Sequence, residues 1–147
     1  MHILIFTAVI IIASLVWFFK RMTTQAVASH VVDDPLVGAA AISISILKSE
    51  RVYNSDIKQQ LMGSLRPYAE SDEQVTNALD VGEWITDQGV PPRKIISAIG
   101  PHILSKLTTE QRFEVFEFIN HALEHGNIDD DIGANFMLQI RKELALQ

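Results

Sequence analysis

Residues 33–50, DDPLVGAAAISISILKSE, decide the fold. Asp33 or Asp34 can cap a helix with Pro35 at its first position, because aspartate accepts backbone N–H bonds and proline needs none there. Apolar residues then recur at three- and four-residue spacing and fill the neighbouring positions too, which predicts a helix buried on nearly all sides. They are Val37, Ala39, Ala40, Ala41, Ile42, Ile44, Ile46 and Leu47. We expect this to be the central helix.

The isoleucine and serine alternation at 42–46 also fits a β-strand, but no later segment offers a partner strand. Capping signals instead open four further helices, at Asn54 or Ser55, Ser71 with Gln74, Thr108 with Gln111, and Asp129. A further helix starts at Pro92, and Gly100 and Pro101 predict a break in it. The sequence therefore predicts an all-α domain of about seven helices.

The later helices each carry an apolar face that we assign to the core. These faces are Ile57, Leu61, Leu65 and Tyr68; Val75, Ala78, Leu79, Gly82 and Ile85; Phe113, Phe116, Ile119 and Leu123; and Ile132, Phe136, Ile140 and Leu144. Trp84 lies beside the second face, and we expect its indole to pack in the core as well.

An apolar run at the N-terminus, Ile3 to Phe19, predicts a transmembrane anchor. As a helix it would span roughly 25 Å, close to the thickness of the hydrocarbon layer. Trp17 and the cations Lys20 and Arg21 are suited to the interface. A cleavable signal peptide, cut after Ala26-Val27-Ala28, is the alternative, but such peptides carry their cations before the apolar core.

The same two cations predict the orientation, because positive residues favour the cytoplasmic side. We expect a single-pass protein of the bacterial inner membrane with its N-terminus outside. Residues 1–21 would form the anchor, 22–32 a tether, and 33–147 one cytoplasmic helical domain.

Charge and composition exclude some functions. Residues 1–30 contain two cations and no acid, so the rest carries ten of the 12 cations and all 18 acids, a formal charge of −8. This balance disfavours nucleic acid as a partner. The chain has no cysteine, which removes disulfides and cysteine zinc sites.

One short motif suggests chemistry. His121-Ala-Leu-Glu124-His125 matches the H-x-x-E-H pattern of inverted zinc peptidases, in which two histidines bind zinc and the glutamate acts as base. With Asp129, these side chains are the candidate ligands for a divalent metal. Their position also fits a helix C-terminus and the following N-cap, so we expect no cofactor and no catalytic residue.

An internal echo relates two helix-loop-helix segments, ILKSERVYNSDIKQQL (46–61) and HALEHGNIDDDIGANFM (121–137). Leu47 aligns with Leu123 and Val52 with Ile128, and a capping residue follows each aliphatic. These loops resemble those of the TerB-like family, a tellurite-resistance-type helical domain also found in membrane-anchored co-chaperones of the DnaJ class. The resemblance covers roughly residues 33–145 and implies a pseudo-duplicated helical bundle.

The resemblance implies a membrane-tethered interaction module, with a link to stress, that docks a protein partner through helix faces. The family's loops carry acidic residues that are metal-ligand candidates. The aspartate that precedes glycine in them falls on Ser49 and His125 here, so it is not carried over, and the resemblance does not support a metal site. The chain contains no His-Pro-Asp tripeptide, so no co-chaperone activity is carried over either. Two alternatives stay open: a small zinc hydrolase using the motif at 121–125, and an accessory subunit of a larger membrane complex.

Overall fold

The secondary structure is entirely helical over residues 34–147, which are the residues that the computed structural model describes. It consists there of six α-helices and one short 3-10 helix. Their bounds are α1 Pro35–Ser49, α2 Ser55–Leu65, the 3-10 helix Arg66–Tyr68, α3 Asp72–Asp87, α4 Pro92–Lys106, α5 Thr109–His125 and α6 Asp130–Glu143. The predicted all-α class is confirmed for this part of the chain.

Helix α1 forms the centre of the core. Asp34 caps it by accepting the Leu36 N–H at 2.9 Å, and every residue from 37 to 47 is buried. Ser43 and Ser45 donate their hydroxyls back to carbonyls of the same helix, at 2.9 and 2.8 Å, so neither is left unpaired in the core. The strand alternative for 42–46 is therefore wrong.

The other helices surround α1. Helices α3, α4 and α5 pack directly on it, α2 packs on α3 and α5, and α6 packs on α4 and α5. The predicted face of α3 is buried at all five positions. Val75, Ala78 and Gly82 in this face are small or branched, and a Cβ on Gly82 would lie only 3.1 Å from the Ala41 backbone nitrogen. Close approach to α1 thus depends on residue size.

Three aromatic residues and one isoleucine that the sequence assigned to the core are exposed instead. Phe113 is 43%, Trp84 44% and Tyr68 45% exposed, and Ile132 is at 36%. Helix α5 buries a stripe shifted around the helix from the predicted one, formed by Val115, Phe118, Ile119, Ala122 and Leu123. The two stripes share Ile119 and Leu123, and spacing alone does not choose between overlapping stripes.

Helix α4 continues through Gly100 and Pro101, so the predicted break is wrong, and residues 34–147 form six α-helices where about seven were expected. Proline removes one internal hydrogen bond, yet Pro101 is exposed and the helix around it is intact. Gly100 is buried against α6, and a Cβ there would lie 2.7 Å from the Glu143 Cβ. Gly100 thus permits the close approach of α4 and α6 rather than a turn.

The predicted anchor, including Ile3, Trp17, Phe19, Lys20 and Arg21, lies outside the described residues, as does the tether at 22–32. Within 34–147, none of the helices combines the length and the apolar character that crossing a membrane requires.

Substituting Gly100→Ala should destabilise the protein by about 1–3 kcal/mol, because the new methyl group overlaps Glu143 in a packed interface. Gly63→Ala is the matched control, since Gly63 is helical and has no atom within 4 Å of an added Cβ. It should stabilise by about 0.5–1 kcal/mol through helix propensity alone. Urea unfolding of both variants measures the difference, and a stabilised Gly100→Ala would contradict the packing argument.

Candidate functional site

The H-x-x-E-H motif lies on the exposed face of the last turns of α5. His121 Nδ1 is 3.2 Å from Glu124 Oε2, and the two side chains are 60% and 64% exposed. Asn120 donates to the other Glu124 oxygen at 3.2 Å. His125 is exposed at the helix end. Among residues 34–147, no three His, Asp or Glu side chains come close enough to hold one metal ion.

Asp129 is the N-cap of α6. Its Oδ1 accepts the backbone N–H groups of Asp131 and Ile132 at 3.0 and 3.4 Å. Asp130 and Asp131 occupy the first turn, where negative charge is favoured by the helix dipole. Capping therefore accounts for the acidic run at 129–131.

The loops after α1 and α5, residues 50–54 and 126–129, begin with the same backbone turn. Val52 N–H donates to the Leu47 carbonyl at 3.0 Å, and Ile128 N–H donates to the Leu123 carbonyl at 3.3 Å. The residue before each aliphatic has a positive φ, 58° at Arg51 and 52° at Asn127. This six-to-one bond with a left-handed residue is the Schellman C-cap. The aligned pairs noted in the sequence are therefore geometrically equivalent positions.

These two loops also touch each other at Gly126. Its φ is −75°, so the backbone there does not require glycine. A Cβ at this position, however, would overlap the buried Leu47 side chain and lie 3.2 Å from Val52 Cγ2. Gly126 is thus the point at which the second loop packs against the end of α1.

Sequence reasoning missed a polar cluster, here called the Glu83 network, which is formed by Lys48, Tyr53, Lys58, Asp80, Glu83, Thr86 and Asp87. The Tyr53 hydroxyl donates to Glu83 Oε1 at 2.6 Å, and Lys58 Nζ is 2.9 Å from the same oxygen. Lys58 Nζ is also 3.4 Å from Asp80. The first loop and α2 are thereby held to α3.

Lys48, at the end of α1, extends the network. Its Nζ is 2.6 Å from Asp87 Oδ1, donates to Thr86 Oγ1 at 3.0 Å, and lies 5.6 Å from the centre of the Tyr53 ring. Tyr53 and Glu83 are 30 residues apart, and Lys48 and Thr86 are 38 apart. No local spacing rule could have paired them, since such rules reach only three or four residues.

Three groups of this network, Tyr53, Lys58 and Glu83, have pKa values that are shifted away from neutral pH. Burial raises the pKa of Glu83, but the hydrogen bonds from Tyr53 and Lys58 and the nearby lysine charges outweigh it, so the pKa lies below 4.5. The hydrogen bond to Glu83 raises the pKa of Lys58 despite desolvation. Burial, and then the bond to Glu83, raises the pKa of Tyr53 far above 10.0. A general acid or base works best with a pKa near the working pH. The shifted pKa values of these three groups instead favour the ion pair and hydrogen bonds that hold the first loop and α2 to α3.

A second feature missed from sequence is a groove of about 560 Å³ at the N-terminal end of α1, here called the α1 groove. Its floor is apolar and buried, and its rim is polar. Ala39, Leu65, Val115 and Phe118 form the floor, and Asp34, Tyr68, Glu70 and Glu114 stand on the rim. Residues from α1, the C-terminal end of α2, the 3-10 segment, α3 and α5 meet here.

The rim acids differ in their partners. Asp34 accepts from Leu36 N–H and, at 3.3 Å, from Gln74 Nε2. Gln74 Oε1 in turn accepts the Glu70 backbone N–H at 2.7 Å. Within residues 34–147 the carboxylates of Glu70 and Glu114 have no hydrogen bond or ion pair, and both residues are exposed. Two hydrated carboxylates therefore stand beside an apolar floor.

Comparison of the chain with models of protein families, with curated proteins and with solved structures finds no match. The resemblance to the TerB-like family therefore depends on the loop residues themselves.

Glu83→Gln should lower the free energy of unfolding by about 1 kcal/mol at pH 7, because a charged partner of Lys58 is lost from a partly solvated site. Since the folded-state pKa of Glu83 is lowered below its ordinary value of 4.5, its stabilisation is fully present above pH 4.5 and is lost as the pH falls through the lower, folded-state pKa. The gap between wild type and variant should therefore close in acid. Denaturant unfolding from pH 7 to pH 3 measures it, with exposed Glu117→Gln as control; a gap independent of pH would contradict the assignment.

The motif at 121–125 should hold no stoichiometric zinc, because protein zinc sites use three or four side chains and only His121 and Glu124 contact each other here. Elemental analysis and thermal unfolding with and without EDTA test this. His121→Ala should leave the zinc content and the melting temperature unchanged. About one zinc per chain, lost in that variant, would instead favour the zinc hydrolase.

Proposed function

We propose that the protein is a single-pass protein of the bacterial inner membrane that presents its helical domain to the cytoplasm as a protein-interaction module. The observation that carries the interaction role is the α1 groove, because an apolar floor beside acids that have no partner among residues 34–147 is suited to binding. The anchor is supported by the apolar run at 3–19 and by the cations that follow it.

An interaction role also accords with the chemistry of the polar residues. The hydrogen bond to Glu83 raises the pKa of Lys58, and the pKa of Glu83 is lowered, so both pKa values lie away from neutrality, which suits ion pairing rather than proton transfer. The histidines at 121 and 125 are exposed near the C-terminal end of α5. The zinc hydrolase has no comparable geometric support.

We further propose that the domain is TerB-like, with two helix-loop-helix units, α1 with α2 and α5 with α6. Support comes from the contact of the two loops at Gly126, and from the turn that ends α1 and α5 and also ends α6. Helices α3 and α4 then connect the two units. Under this proposal the link to tellurite or other stress rests on the family resemblance.

Fractionation of cells that express the full chain tests the anchor. The protein should stay in the membrane after alkaline carbonate extraction, and a C-terminal fluorescent reporter should report a cytoplasmic location. Ile10→Asp with Ile11→Asp should release it, since charged residues are costly in the hydrocarbon layer. A mature protein that starts at Ser29 would identify a signal peptide and contradict the proposal.

A further inference from the structure

We propose that the α1 groove binds a short cationic segment, rich in lysine or arginine with an adjacent apolar side chain, from the cytoplasmic juxtamembrane region of another membrane protein. The inference rests on the proposed function, because it takes the domain to be held at the membrane. Three independent features of the groove point to this one occupant: its negatively charged lining, its apolar floor and its distance from the membrane.

The charge of the groove has one sign. Asp34, Glu70 and Glu114 line it, and its lining contains no lysine, arginine or histidine. Asp34 is committed to capping α1 and to Gln74, which leaves Glu70 and Glu114 for an incoming cation. A groove lined by one sign of charge concentrates ligands of the opposite sign.

The floor of the groove adds an apolar requirement. Leu65, Val115 and Phe118, each at most 7% exposed, form its buried apolar lining. The half-buried Leu36 and Leu107 add apolar surface that a ligand can reach. Lysine and arginine have apolar stems that cover such a surface while their charged ends reach carboxylates. At about 560 Å³ the groove has room for a few side chains rather than for a whole helix face.

The location of the groove sets the source of the ligand. Asp34 on its rim is separated from Arg21 by residues 22–33, which can span at most about 40 Å. If residues 3–19 are anchored, the groove thus operates within that distance of the membrane surface. Cytoplasmic segments next to transmembrane helices carry an excess of lysine and arginine. The chemistry that fits the groove is therefore enriched where the groove is held.

Binding is tested with the full-length protein in nanodiscs of zwitterionic phosphatidylcholine. The probe is a fluorescent peptide of alternating short lysine-arginine and leucine runs, and the reference is the same peptide with glutamate in place of every cation. The cationic peptide should bind, the acidic one should not, and added salt should weaken the binding.

The decisive variant is Glu70→Gln with Glu114→Gln. It should weaken peptide binding about tenfold, which equals 1.4 kcal/mol for two partly exposed ion pairs. The matched control, Glu73→Gln with Glu117→Gln, removes the same charge from α3 and α5 outside the groove lining. Its affinity should stay within about twofold of wild type, because only distant screened charges change. Equal weakening by both variants, or by neither, overturns the groove as the binding site.

A second pair of substitutions distinguishes an external ligand from a segment of the chain itself. Lys20→Gln with Arg21→Gln removes the chain's own cations that precede Asp34 most closely in the sequence. Tighter peptide binding in this variant would show that Lys20 and Arg21 compete for the groove, which would overturn the partner proposal. Unchanged affinity supports an external ligand. Thermal unfolding must be equal for all variants compared. If the protein is membrane-bound but does not bind the peptide, this inference alone is contradicted. If the protein binds the peptide but is not anchored in the membrane, the proposed function is contradicted.

Discussion

The described structure depends on the complete burial of one helix. Every residue of α1 from Val37 to Leu47 is covered, so three helices must approach it closely at once. This is possible because alanine occupies positions 39–41 and Gly82 of α3 lies against them. Burial of apolar area contributes about 25 cal/mol per Å² to stability, so a helix that is covered on all sides contributes more stabilising free energy per residue than one covered on a single face. The small residues thus set the spacing, and the isoleucines fill it.

The burial of α1 also fixes where the loops must lie. Leu47 near its C-terminus is fully buried, and the space around it is closed by Gly126 from the second loop. Lys48, one residue later, points instead into the Glu83 network and ties the same end of α1 to α3. One helix end therefore couples a non-polar contact with an ionic one. A larger side chain at Gly126 in the second loop would displace Leu47 first, because a packed core has little room to relax.

Sequence patterns predicted well whatever depends on local chemistry. The caps at Asp34, Ser71 and Thr108 form as expected, since each uses a hydrogen bond within three residues. The phase of α5 and the path of α4 through Pro101 depend on partners far along the chain, and local patterns predicted both wrongly. Of the candidate site, the equivalence of the two loops was predicted from the sequence, through the alignment of Val52 with Ile128. The α1 groove was not, because it exists only where five separate helical elements meet.

The two ends of α1 differ in a way that bears on function. At its C-terminal end the acids of α3 are paired with lysines and a tyrosine, which helps hold the helices together. At its N-terminal end Glu70 and Glu114 are exposed and have no partner among residues 34–147. Exposed carboxylates remain hydrated, so leaving them unpaired costs the fold little. Pairing them with an external cation would likewise disturb nothing in the core. The Glu83 network and the two unpaired glutamates of the α1 groove therefore lie at opposite ends of the same central helix.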